Sequence, residues 1–154
     1  MNINNFLTRF SSVLLNEAND QTFETLKLLT AGTTGARVGK LINFAVSCMS
    51  REECYLEVGV FTGFTLISAN YNNDRTCVGI DSFQADQVFS IKPDDVRAKC
   101  MFNLKNYTTN AVLIDGDFRS VPKEQIQQPV GVHFIDGDHT YKAVKEGIAW
   151  VKPM

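Results

Sequence analysis

Four short apolar runs in this chain each lead into an acid or a glycine. "YLEV" contains Glu57 and runs into Gly59, and "CVGI" runs into Asp81-Ser82-Phe83. "AVLI" runs into Asp115-Gly116-Asp117, and "VGVHFI" into Asp136-Gly137-Asp138-His139. Open α/β sheets carry their ligands outside the carboxyl ends of the strands, so runs of this kind bring carboxylates and side-chain-free positions to one rim. Gly59 can take a backbone conformation closed to other residues, and Gly63 lets a helix start approach a ligand. A pyrophosphate site would want G-x-G-x-x-G with nothing repulsive nearby. Here only Gly59 and Gly63 are present, and the Glu57 carboxylate repels phosphate and attracts a cation. The turn therefore predicts a nucleoside ligand bearing a positive charge. Asp81 stands 18 residues beyond Gly63, about where an acid receives ribose hydroxyls in nucleotide-binding α/β units, and Phe83 beside it could cover a base ring.

The elements that must position these residues follow from periodicity. Phe6, Leu7, Phe10, Val13 and Leu14, then Phe23, Leu26 and Leu29, recur at three- and four-residue steps and predict helices within residues 1–30. "AGTTGA", 31–36, is a turn cluster, and Val38–Met49 reads as an amphipathic helix. Strands are expected at 55–58, 76–80, 111–114 and 130–135. Helices are expected at 62–69, at 94–107 with Val96, Cys100, Met101 and Leu104 inward, at 122–127 in short form, and at 141–151. Strand and helix alternating four times imply parallel strands with crossover helices. Strands apolar throughout imply a sheet covered on both faces. The fold class is thus α/β, a Rossmann-like, doubly wound, mostly parallel sheet in three layers. Residues 1–50 form a helical segment packing on the unit at 51–154, in one structural domain.

Composition excludes several classes. With 154 residues, 44% of them apolar and 21% charged, the chain can bury a core of its own. A net charge of −2 without a Lys/Arg block is not the footprint of a nucleic-acid partner. No apolar run approaches the roughly 20 residues needed to cross a bilayer. The N-terminus lacks the pattern of a signal peptide, which predicts a cytoplasmic protein. Cys48, Cys54, Cys77 and Cys100 form no C-x-x-C pair and read as free thiols, mostly buried. His133, inside an apolar strand, reads as structural, and Trp150 and the phenylalanines as core.

"YLEVGVFTGFTLISAN" followed by "CVGIDSF" resembles the first two motifs of class I S-adenosylmethionine-dependent methyltransferases. "GVHFIDGDHTYKAVKEGIAWVKP" is similar to one branch of that superfamily, in which strand 4 ends in Asp-Gly-x-His-x-Tyr and which includes small-molecule and sugar O-methyltransferases, several of them metal-dependent. The resemblance covers roughly residues 30–154. It implies S-adenosylmethionine as cofactor, with Glu57, Gly59 and Gly63 at its methionine end, Asp81 at the ribose, and Ser82 among the cofactor-binding residues. It places Phe83 beside the adenine, and Gly116, Asp117 and Phe118 at the adenine edge. It makes Asp136 a ligand for Mg²⁺ or a substrate contact, His139 the candidate general base, and Tyr141 a supporting residue toward the substrate.

The residue types agree with methyl transfer. The sulfonium leaving group becomes neutral, so positioning dominates. A hydroxyl acceptor must lose a proton, which suits a histidine titrating near neutrality. Alternatively, a divalent cation on Asp136, Asp138 and His139 could acidify the hydroxyl. Asp117 reads equally as a turn residue, and Asp138 as a cap of the last helix. The family implies strand order 3-2-1-4 here and continues past the position of Met154 with a fifth strand and a hairpin. Three arrangements stay open for strand 4: a fragment of a longer protein, pairing of that edge with another copy, or cover by the N-terminal helices. The implied function is O-methylation of a small-molecule or sugar hydroxyl; the alternative is a truncated, non-catalytic methyltransferase-like domain for cofactor binding or assembly.

Overall fold

The computed structural model describes residues 4, 7, 8, 10–12, 21–84 and 92–152. Phe6, Val13 and Leu14 of the expected first helix lie outside the described residues. The elements are α1 (Thr22–Thr30), α2 (Ala36–Ser47), β1 (Cys54–Val58), α3 (Phe64–Asn70), β2 (Cys77–Asp81), α4 (Pro93–Tyr107), β3 (Ala111–Asp115), a 3₁₀ turn (Lys123–Gln125), β4 (Val130–Ile135) and α5 (Tyr141–Val151). The four strands pair in parallel in the order β3-β2-β1-β4. This is the expected Rossmann-like order, and the strand bounds differ from the sequence reading by at most one residue.

Each strand's alternation divides two cores. Tyr55 and Cys77 point to the face covered by α1, α2, α3 and α4, where they meet Phe23, Leu26, Ile42, Val46, Phe64, Ile67, Cys100 and Leu104. Cys54, Leu56, Val58, Val78 and Ile80 point to the other face, toward Phe118, Val121, Ile126, Trp150 and Val151. All five residues of β1 are buried, because it lies inside the sheet with both faces covered. Side chains such as Tyr55, Leu56, Leu66 and Ile67, shielded from solvent almost entirely, each stabilise the fold by about 1.5–3 kcal/mol.

The outer strands depart from the expected full cover. Val112 in β3 is 51% exposed. Met101, expected inward, is 58% exposed. Cys100 and Leu104 share one helical face, and the next inward position after Cys100 is taken by Asn103. That buried amide donates to Thr30 O at 3.1 Å and Thr62 O at 2.8 Å, tying α4 to the end of α1 and to the turn after β1. Phe102 is likewise exposed rather than core. Cys54, Cys77 and Cys100 are buried free thiols as expected, with Cys48 half-buried. No helix among the described residues is long and apolar enough to cross a membrane.

Candidate active site

The turn after β1 is built from backbone conformations that few residues tolerate. Gly59 has φ +92°, Phe61 +51° and Gly63 +93°. At Gly59 a Cβ would lie 2.4 Å from Gly137 N and 2.5 Å from its Cα, so the backbones leaving β1 and β4 touch where any side chain would intrude. At Gly63 a Cβ would meet nothing nearer than 3.4 Å; there the left-handed φ is the requirement. Asp81, at the end of β2, holds the turn. Its Oδ2 accepts from Val60 N at 2.7 Å and Phe61 N at 2.8 Å, and its Oδ1 from Phe83 N at 2.7 Å. Successive backbone N–H groups alternating in hand form an anion nest. Here the protein's own carboxylate fills it.

Glu57 stands one layer behind the turn. It is fully buried, with Oε2 accepting from Tyr55 Oη at 2.6 Å and Oε1 from Thr65 Oγ1 at 2.5 Å. Tyr55, two residues earlier on the same strand, shares its face, and Thr65 comes from the first turn of α3. Burial pushes the Glu57 carboxyl up to about 8; the two hydroxyls oppose the rise and the negative charges of Asp136 and Asp81 add to it. Burial likewise drives the Tyr55 phenol well above its usual value. Glu57 therefore touches the cleft only through Thr65.

Asp136, immediately after β4, has its backbone N on Val58 O at 2.8 Å. Its Oδ2 accepts from Thr34 Oγ1 at 3.0 Å, and its Oδ1 lies 3.8 Å from His139 Nε2. The His139 side chain is 76% exposed. Asp138 turns away and accepts from Thr140 N at 2.9 Å, which lowers its carboxyl below the usual value. The helix cap proper is Thr140, whose Oγ1 accepts from Ala143 N at 3.3 Å. The expected trio of Asp136, Asp138 and His139 is thus not a ligand set, because the middle carboxylate serves the loop before α5. Among the described residues no three His, Cys, Asp or Glu side chains gather to hold a metal. One carboxylate and one imidazole do not fit Mg²⁺, which takes oxygen donors in near-octahedral array. Tyr141 is 81% exposed, with Lys145 Nζ 5.8 Å from its ring centroid, and stands outside the cleft lining.

A cleft of about 340 Å³ opens between these loops, within the size range of small-molecule sites. Its walls include Gly59, Phe61, Thr65, Asp136 and His139, and also Thr33 and Thr34 from the α1–α2 turn. In the sequence that turn reads as punctuation only; its signal is a pair of hydroxyls between glycines. No Lys or Arg is among the described lining residues.

The remaining expected residues collect at the ends of β2 and β3, apart from this cleft. Half-buried Ser82 follows Asp81. Phe83 is 5% exposed and packs in the core of the α4 face, under the Arg97 guanidinium at 5.6 Å. Arg97 pairs with Asp115 at 2.7 Å. Gly116 N donates to Asp81 O at 2.9 Å. Asp117 Oδ1 accepts from Arg119 N at 2.9 Å, a turn-holding role. Phe118 is buried on the opposite face of the sheet, edge-on to Trp150 at 6.0 Å. His133 Nε2 is buried without a hydrogen-bond partner among the described residues, and burial holds its imidazole below the usual value, hence neutral.

The model of the family described as "Methyltransferase domain" matches residues 56–154, from the middle of β1 onward. The chain belongs to that family. Comparison with curated proteins returns no match. In this methyltransferase domain the matched segment contains the turn after β1, Asp81 and the Asp136–His139 loop. Thr33 and Thr34 lie before it, so the cleft is walled from both inside and outside the matched segment.

Proposed function

We propose that this methyltransferase uses S-adenosylmethionine and methylates a hydroxyl of a small molecule or sugar. The observation that carries the reading is the cleft at the ends of β1 and β4. Its charged lining is acidic, and the anion nest of its turn is already filled. Such a site suits a cationic nucleoside better than a phosphorylated one. S-adenosylmethionine supplies an electrophilic methyl group on a positively charged sulfur. Gly59 and, through Thr65, Glu57 would stand at its methionine end, with Gly63 shaping the turn; Asp81, with Ser82 beside it, would approach its ribose, whereas Phe83 and Phe118 serve the core.

This chain's own residues supply the rest. His139, at the cleft rim, takes the proton of the acceptor hydroxyl as general base. With Nε2 facing Asp136, the ring's Nδ1 carries the lone pair that does so. Asp136 orients the imidazole and stabilises its charged form. The loops hold acceptor and base in one geometry, which is where most of the rate enhancement of such a displacement arises.

Calorimetry with S-adenosylhomocysteine tests the reading, followed by transfer of labelled methyl from S-adenosylmethionine to a panel of hydroxylated acceptors. Micromolar binding and transfer are expected. A folded sample that fails to bind at millimolar ligand would refute it.

A further inference from the structure

We propose that Thr34 is a positioning residue that fixes the Asp136 carboxylate toward His139. The role rests on the reading of His139 as base, but the contact and its test do not. Asp136 and Thr34 are 102 residues apart in sequence and meet at 3.0 Å through Oγ1 and Oδ2. The Asp136 backbone is fixed by its bond to Val58 O, whereas its side chain is 31% exposed and its Oδ2 would otherwise be left to water. With Oδ2 held by the threonine, Oδ1 is the oxygen that faces His139 Nε2 at 3.8 Å. The imidazole is largely exposed, so this carboxylate is the main group orienting it.

Thr34 is itself firmly placed. Gly32, two residues earlier, packs so closely that a Cβ there would lie 2.4 Å from Phe64 Cβ. Ala31 O accepts from Thr62 Oγ1 at 3.3 Å, and Thr30 O from the Asn103 amide at 3.1 Å. The α1–α2 turn is thus tied to the Gly59 turn and to α4 before it reaches Asp136. A hydroxyl on such a mount restricts a carboxylate more than water does, since a displaced water costs the side chain nothing in strain.

The test compares Thr34→Val, which keeps shape and loses the hydroxyl, with Thr34→Ser, which keeps the hydroxyl. Three-bond couplings to the Asp136 Cγ, measured by NMR on the whole chain, report its χ1. A single rotamer is expected in the wild type and in Thr34→Ser, and averaging in Thr34→Val. In the transfer assay Thr34→Val lowers kcat about tenfold, more than it changes KM or the affinity for S-adenosylhomocysteine, and Thr34→Ser restores it. An Asp136 side chain equally ordered in Thr34→Val overturns the proposal. So does equal loss of kcat in both variants, which would make the loop's packing responsible. If no methyl is transferred, the function above fails, while the rotamer measurement still decides the role of Thr34.

Discussion

Replacing Glu57 by glutamine isolates one buried proton. In the unfolded chain the carboxyl titrates at its usual 4.5, and in the folded chain at about 8. Between those values the folded state holds a proton that the unfolded state has released, so stability falls as pH rises through the window. The slope is about 1.4 kcal/mol per pH unit and the whole loss about 5 kcal/mol. The contribution is favourable below pH 4.5 and is lost by pH 8 or so. Glutamine keeps the shape, offers its oxygen to one of the Tyr55 and Thr65 hydroxyls and its amide to the other, and does not titrate. Urea unfolding of both proteins from pH 5.5 to 7.5 should therefore find the wild type already about 1.4 kcal/mol behind at the acid end. Glu57→Gln should then gain on the wild type by roughly 2–3 kcal/mol across the range. Every other carboxylate is common to both chains and cancels in the difference. A difference that stays flat with pH would mean that Glu57 is ionised in the folded protein throughout, and would refute the account of its burial.

The turn itself yields sharper contrasts. Gly59→Ala drives a methyl into the Gly137 backbone and should destabilise by about 3 kcal/mol or more, against about 1–2 for Gly63→Ala, where only the φ is unfavourable; thermal unfolding of the two variants checks the order. Asp81→Asn leaves a single acceptor oxygen for three backbone N–H groups and presents its own N–H to the rest, a loss of about 2 kcal/mol readable in urea midpoints. His139→Asn should lower kcat by about 10²–10⁴ while binding of S-adenosylhomocysteine by calorimetry stays at the wild-type value, because the ring lies at the rim.

Strand positions were legible because each strand is a mainly apolar run with an acid or glycine at or just past its end, whereas the strand order was legible only through the family resemblance, within the few alternatives that parallel connections leave. The Gly59 and Asp81 positions were legible too, though not how the turn is held: spacing along the chain says that both reach the rim, not that the Asp81 carboxylate will take the amides of Val60 and Phe61 that follow Gly59. Met101 was misplaced because one helical step separates an inward from an outward position, and the polar Asn103 took the buried place. Phe83 and Phe118 show the limit for aromatics at strand ends, where covering a base and filling a core ask for the same residue. Thr34 was invisible because its partner lies 102 residues away and no local pattern announces a contact between distant loops.

The carboxylate lodged in the turn after β1 has a bearing on selectivity. Cells hold phosphorylated metabolites in large excess over most other nucleosides, and glycine turns of this shape are where such compounds commonly settle. A turn already neutralised from within gives them no foothold, so ATP or a dinucleotide should compete poorly here even at millimolar concentration.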